Sequence, residues 1–222
     1  PAYKIASLEI KDIPLISYAA EKNKPIILST GAANLADIEL AVKTCRDAGN
    51  HDITLLKCTS AYPTPYSEVN LRAIPTLKSV FDTKVGLSDH TEGHCVPLGA
   101  VTLGATIIEK HFILDRKLGG VDSAFSMEPQ EFEEMVKNVR QLEKALGSPE
   151  MVSDEKVEKR RERGRSLFVV KDIKSGETFT PENVRSIRPG YGLHPKHLNE
   201  VIGKTARNDL EKGNPLSWND II

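Results

Sequence analysis

The sequence predicts an α/β fold: the C-terminal part, about five strands, of a (β/α)₈ barrel, followed by a small β-rich domain. Three observations predict it. Apolar β-type segments alternate with helix-period segments through residues 1–147, polar residues gather at the ends of those β segments, and a charge-dense stretch then leads into a short sequence that repeats once. Such alternation argues a parallel sheet covered by helices.

The β-type segments are YKIASLEI (3–10), PIILST (25–30), ITLLKCTS (53–60), KVGLSD (84–89) and TIIEKHF (106–112). After the first, Pro14 suits a first helical turn ahead of Leu15 and Ile16. Asn34 is placed to cap a helix with Leu35, Ile38, Val42 and Cys45 on one face, closed by Gly49. Pro75 repeats the role of Pro14 before Leu77 and Val80, and residues 95–104 are small enough for close packing. Phe132, Met135, Val136, Val139, Leu142 and Leu146 then fall at helical spacing and stop at Gly147. A closed barrel needs eight such units and about 250 residues. The chain opens on Pro1 and enters a strand almost at once, so the expectation is that about three strands, roughly 100 residues, precede it in a complete barrel.

Residues 148–165, SPEMVSDEKVEKRRERGR, read as a solvated linker, because acids interleave with the bases. The second domain, 166–222, carries the repeat. DIKSGETFTPENV (172–184) aligns with DLEKGNPLSWNDI (209–221) at an offset of 37, Asp172 on Asp209, Gly176 on Gly213 and Val184 on Ile221. Each copy reads as strand, glycine turn, strand, hydroxyl cap and one helical turn, so a pseudo-twofold is expected. Lys+Arg 30 against Asp+Glu 31 leaves a net charge of −1, which gives no electrostatic ground for a nucleic-acid or anionic-membrane partner. No apolar run approaches the ~18 residues of a membrane span. Cys45, Cys58 and Cys95 lack metal-type spacing and lie in apolar patterns, so they read as reduced and buried.

In a parallel barrel the functional groups gather where strands end. Here those ends carry Ser7 and Glu9; Ser29, Thr30 and Gly31; Thr59, Ser60 and Tyr62; Ser88, Asp89 and His90; Glu109, Lys110 and His111. By alternation Ser88 shares a face with His90, and Glu109 with His111. Adjacent strands lie about 4.8 Å apart, so His90 and His111 can reach one ion with bonds of about 2 Å. With water and substrate oxygens completing the shell, the pair suits Mn²⁺ as well as Zn²⁺. The plainer reading is two histidines hydrogen-bonded within the barrel mouth; their recurrence at successive strand ends favours ligation. Ser29, Ser60 and Ser88 each offer a hydroxyl to an anionic oxygen and Lys4 adds a cation, which suits a phosphate. His51, His94 and His197 sit in loop or helix contexts and read as surface or packing residues.

The motifs KIASLE (4–9), ILSTG (27–31), LKCTSAYPTPY (56–66), GLSDHT (86–91), IIEKHF (107–112), GGVDSAFSMEP (119–129) and RSIRPGYGLHPK (185–196) run in uninterrupted order. Over essentially the whole chain the sequence resembles the bacterial sialic-acid synthase family, in particular its pseudaminic branch. The resemblance implies a TIM barrel joined to an antifreeze-like (SAF) domain. It implies a cytoplasmic transferase that condenses phosphoenolpyruvate with an N-acetylated amino sugar, here 2,4-diacetamido-2,4,6-trideoxy-altrose, into a nine-carbon acid and phosphate. His90 and His111 are then the Mn²⁺ ligands, with His111 and Glu9 catalytic. Lys4, Ser7, Ser29, Ser60 and Ser88 surround phosphoenolpyruvate, while Glu9, Tyr62 and Asp122 handle the sugar and its proton. Ser60 stands where neuraminic members have Asn, with a donor retained. Arg188 matches an arginine that one subunit's small domain inserts into its partner's site, which implies a domain-exchanged homodimer. The family's first three barrel strands, with further ligands, lie outside this sequence. Competing expectations are a neuraminic or legionaminic synthase, another phosphoenolpyruvate-dependent synthase making a keto-deoxy sugar acid, and a non-catalytic carbohydrate-binding module. The small domain with its RPGYG motif argues against the second, and the histidine pair against the third.

Overall fold

Five parallel strands stand in sequence order in the first of two units, Pro1–Gly147: β1 (Tyr3–Ile5), β2 (Ile26–Ser29), β3 (Ile53–Cys58), β4 (Lys84–Asp89) and β5 (Ile107–Lys110). The computed structural model describes residues 1–149 and 155–222. A helix comes after each strand: α1 (Ile13–Ala20), α2 (Leu35–Asp47), α3 (Ala73–Phe81), α4 (Cys95–Thr102) and α5 (Pro129–Leu146). The result is half of a barrel. Local chemistry places the helix ends. Asp12 accepts the Leu15 N–H at 3.1 Å, and Asn34 and Asp37 form a reciprocal capping box at the start of α2. A second box of Glu128 and Glu131 opens α5, which stops at Gly147 with φ 56°.

Alternation divides the sheet into two faces. Ile5, Ile26, Leu28, Ile53, Leu55, Val85 and Leu87 pack outward against helix residues such as Ile16, Ile38, Val42 and Leu77. Leu28 and Leu55 are fully buried, worth about 1.5–3 kcal/mol each. The other face carries Lys4, Ser29, Leu56, Cys58, Ser88 and Glu109. Register lines these up in rows, with Ser29 beside Leu56, Cys58 beside Ser88 and Ser88 beside Glu109. That row of polar groups is the floor of the site.

Several expectations need correction. The first strand ends at Ile5 and not at residue 10, because Ser7–Glu9 turn as a 3₁₀ helix that brings the Ser7 hydroxyl under the Gly31 N–H at 3.1 Å. Of the α5 stripe only Met135 is buried, and Val136 and Leu146 are exposed. Cys45 and Cys58 are buried free thiols, whereas Cys95 opens α4 on the surface. Among the described residues no helix is long and apolar enough to cross a membrane.

The second unit, Ser148–Ile222, holds β6 (Ser166–Val169) paired antiparallel with β7 (Val184–Ile187) around a core that includes the fully buried Phe179. The segment read as linker contains the short helix α6 (Glu155–Arg161), and residues 150–154 of it lie outside the described residues. Its end packs into the unit, since Glu162 O accepts the Gly190 N–H at 2.8 Å. Outside β6 and β7, the copies of the repeat pair through single bridges, not the full strands expected. The pseudo-twofold is nonetheless written in their bonds. Ile173 and Leu210 exchange both backbone bonds at 2.9 and 2.8 Å. Asp172 Oδ1 accepts the Lys212 N–H at 2.7 Å, and Asp209 Oδ1 accepts the Ser175 N–H at 2.9 Å. In both, the aspartate accepts from the residue three beyond its own counterpart in the other copy.

Candidate active site at the strand ends

Asp89 and Lys110 are register partners at the ends of β4 and β5, so the next residues, His90 and His111, project side by side. Their ring centroids are 5.2 Å apart. His90 Nδ1 lies 2.9 Å from the Thr59 carbonyl oxygen, which can only accept, so Nδ1 carries the proton and Nε2 keeps its lone pair. His111 Nδ1 faces Asp122 Oδ2 at 3.5 Å, which biases that ring the same way. Both rings thus turn Nδ1 toward an oxygen, the arrangement that orients many metal-ligating histidines. At that separation two Nε2 atoms can share one ion with bonds of about 2 Å. Among the described residues no three His, Cys, Asp or Glu side chains converge on a metal position.

The two rings titrate differently. Burial and the neighbouring His90 hold His111 below the ordinary imidazole range, which keeps it neutral. At His90 burial opposes the charge, but Cys58, the Thr59 carbonyl and Asp89 outweigh it and raise the value. Tyr62 covers the pair, its ring 4.2 Å from His90 and 6.0 Å from His111. Burial, then the negative fields of Cys58, Asp122 and Glu109, push the Tyr62 phenol up, so it stays a donor at neutral pH. Phe125, 5.0 Å from His111 and 5.8 Å from Tyr62, adds an apolar wall.

The anion side lies on β1 to β4. Ser29 Oγ is buried and has no partner among the described residues. Gly31 lets three groups converge: a Cβ there would meet Ser60 Oγ at 2.6 Å, Ser7 Oγ at 2.9 Å and Cys58 Sγ at 3.0 Å. Burial opposes ionisation of the Cys58 thiol, yet hydrogen bonds with His90, Ser7 and Ser88 hold it below the usual thiol range. Lys4 Nζ sits 3.2 Å from Glu109, whose Oε1 accepts the Ser88 hydroxyl at 2.7 Å.

The structure therefore brings together Lys4, Ser88, Tyr62, His90, His111 and Asp122, and places Ser7, Ser29 and Ser60 on the adjoining floor. Glu9 is exposed on the turn after β1, and its carboxylate makes no hydrogen bond among the described residues. Arg188 belongs to the second unit, where it lines a hollow of 640 Å³ with Lys159, Glu162, Arg163, Pro189 and Tyr191. Its loop is tied by Ser166, whose Oγ donates to Pro189 O at 2.7 Å and accepts the Gly192 N–H at 2.9 Å. A Cβ on Gly192 would strike Leu167 O and Leu216 N. Sequence reasoning gave no role to Glu109 or Cys58. Both carry the same signal as the residues it chose, two positions along a strand from a lumen-facing neighbour.

Residues 1–151 match the NeuB family and residues 164–222 the SAF domain. Over its whole length the chain is 49% identical to the pseudaminic acid synthase of Helicobacter pylori and spans 65% of that protein. It is 43% identical, over 95% of its length, to the N,N'-diacetyllegionaminic acid synthase of Campylobacter jejuni, of which it spans 64%. Among solved structures it is similar to the N-acetylneuraminic acid (sialic acid) synthetase of Leptospira borgpetersenii in complex with citrate. The TM-score is 0.68 at 38% identity, covering 72% of this chain and 55% of that one. The chain spans just under two thirds of the length of these curated relatives.

Proposed function

Because the chain belongs to the NeuB family and carries a SAF domain, we propose that it serves a synthase condensing phosphoenolpyruvate with an open-chain N-acetylated amino sugar, giving a nonulosonic acid and phosphate. The observation that carries this reading is the pair of imidazoles at adjacent strand ends, ring centroids 5.2 Å apart, each with Nδ1 turned to an oxygen. The group they would hold is a divalent ion, Mn²⁺ on the chemistry of the donors, which supplies Lewis acidity toward the sugar's aldehyde oxygen. The remaining roles fall to side chains. Ser29 and Ser60 offer hydroxyls to the phosphate, and Lys4 and Ser88 exchange their Glu109 partner for it.

The methylene carbon of phosphoenolpyruvate bonds to the aldehyde carbon, and cationic character is left on its central carbon. Water adds there, gives up a proton, and the C–O bond to phosphate breaks to leave the ketone. The first proton that water gives up goes to the former aldehyde oxygen, and its second goes to the departing phosphate as the ketone forms. We assign the carrying of these protons to Glu9 and Glu109. Tyr62 and Asp122, flanking the imidazoles, bind the sugar.

Within the family we assign the pseudaminic substrate, 2,4-diacetamido-2,4,6-trideoxy-altrose. Its methyl terminus suits the apolar wall of Phe125, where a hydroxymethyl would lose a partner at a cost of about 1–3 kcal/mol. Arg188 serves the site of a second copy in a cytoplasmic homodimer. Phosphate release from the full-length enzyme should favour this sugar over N-acetylmannosamine by at least about tenfold in kcat/KM, or about 1.4 kcal/mol. Equal or reversed preference moves the protein to the neuraminic or legionaminic branch.

A further inference from the structure

A buried ion pair beneath the two imidazoles takes no part in the chemistry above. Lys110 Nζ lies 2.7 Å from Asp89 Oδ2, and the two side chains are 1% and 2% exposed. Alternation turns both toward the helix side with Leu87, while His90 and His111 face the lumen. Each member directly precedes one imidazole in the chain. Thr91, 1% exposed, completes the group from the far side of His90. Its N–H donates to Asp89 Oδ1 at 3.0 Å and its hydroxyl to Oδ2 at 3.1 Å, while Lys110 Nζ also donates to the Thr91 carbonyl.

Stability alone is a poor reason for this arrangement. An apolar pair of similar volume is often as stable as a buried ion pair, because desolvation consumes the Coulombic gain. What an apolar pair lacks is direction. Charge-assisted bonds have a narrow geometry, and here they join residues 89 and 91, on either side of one imidazole, to the residue immediately before the other. We propose that Asp89, Lys110 and Thr91 form a clamp that sets the spacing of the His90 and His111 imidazoles. They are positioning residues for metal binding. The inference rests on the reading of the two histidines as metal ligands.

The test is a Mn²⁺ titration followed by the electron paramagnetic resonance signal of the free ion, with urea unfolding run in parallel. It compares the wild type with His90→Ala, Lys110→Met, Thr91→Val and the double variant Asp89→Leu/Lys110→Met. Lys110→Met should lose stability and weaken Mn²⁺ binding about 10–100-fold, as outer-shell changes do. The double variant should regain stability without regaining affinity. Thr91→Val keeps the ion pair and removes one hydroxyl bond, so it should fold normally and lose a smaller part of the affinity. These last two variants decide the matter if Lys110→Met does not fold. A double variant that binds Mn²⁺ as tightly as the wild type overturns the clamp while leaving the metal reading intact. Equal binding by the wild type and His90→Ala overturns the metal reading, and the clamp with it.

Discussion

Replacing Ser29 by Ala should move stability and ligand affinity in opposite directions. The hydroxyl ends β2 at 1% exposure, and its oxygen has no partner among the described residues. An unsatisfied buried hydroxyl costs a fold about 1–3 kcal/mol. Removing it should therefore leave the ligand-free chain at least as stable as the wild type, by up to that amount. If the same hydroxyl donates to a phosphate oxygen, its loss removes a hydrogen bond to a charged group, about 1.5–3 kcal/mol. At about 1.4 kcal/mol per tenfold, the dissociation constant for phosphoenolpyruvate should rise about 10–150-fold. Urea unfolding with and without ligand, beside calorimetric titration, reads both quantities, since saturating ligand stabilises by RT ln(1 + [L]/Kd). A ligand-free Ser29→Ala chain destabilised by more than about 1 kcal/mol would mean that the hydroxyl is already satisfied. Unchanged affinity would mean that it does not face the phosphate. Either result refutes the reasoning.

Three other outcomes are expected. Gly31→Ala puts a Cβ among Ser7, Ser60 and Cys58; it should cost about 1–3 kcal/mol in overpacking and raise KM for phosphoenolpyruvate far more than KM for the sugar, as read by steady-state phosphate release. Mixing Arg188→Ala subunits with His90→Ala subunits should restore partial turnover, since one hybrid site is whole; no rescue would mean that Arg188 serves its own chain or none. Alkylation and mass spectrometry should show the exposed Cys95 modified in the native protein and Cys45 spared, since Cys45 is buried with its thiol pushed up to about 11. Because the unfolded thiol ionises near about 8.5, Cys45 favours the fold fully below that pH, and the contribution is lost as pH rises toward the folded value.

Much of the architecture is legible in the sequence because it depends on short-range pattern. Period-two segments alternating with helical stripes imply a parallel sheet wherever they occur, and Asn34 with Asp37 or Gly147 mark helix ends through bonds made within a few residues. The repeat of the small domain is legible for a related reason: equal spacing of Asp172 and Asp209 implies equal bonds, and both aspartates do accept a backbone N–H from the opposite copy. Pattern is weaker at boundaries. Residues 3–10 alternate like a strand, yet β1 stops at Ile5, because the Gly31 N–H on the loop after β2 captures the Ser7 hydroxyl and the chain turns there.

The sequence by itself determined that two imidazoles face one lumen, since alternation from Ser88 and Glu109 leaves them no other side. Only the tertiary structure decided which of their nitrogens meet an oxygen, because the Thr59 carbonyl and the Asp122 carboxylate reach them from other segments. It also decided that Glu109 stands between Lys4 and Ser88, and that Ser29 is left without a partner among the described residues. Asp89 and Lys110 look like surface residues by type and prove to be a sealed pair under the site. Each of these facts is a distance between groups far apart in the chain. Periodicity specifies the direction in which a side chain leaves its own strand, but carries no information about what arrives to meet it.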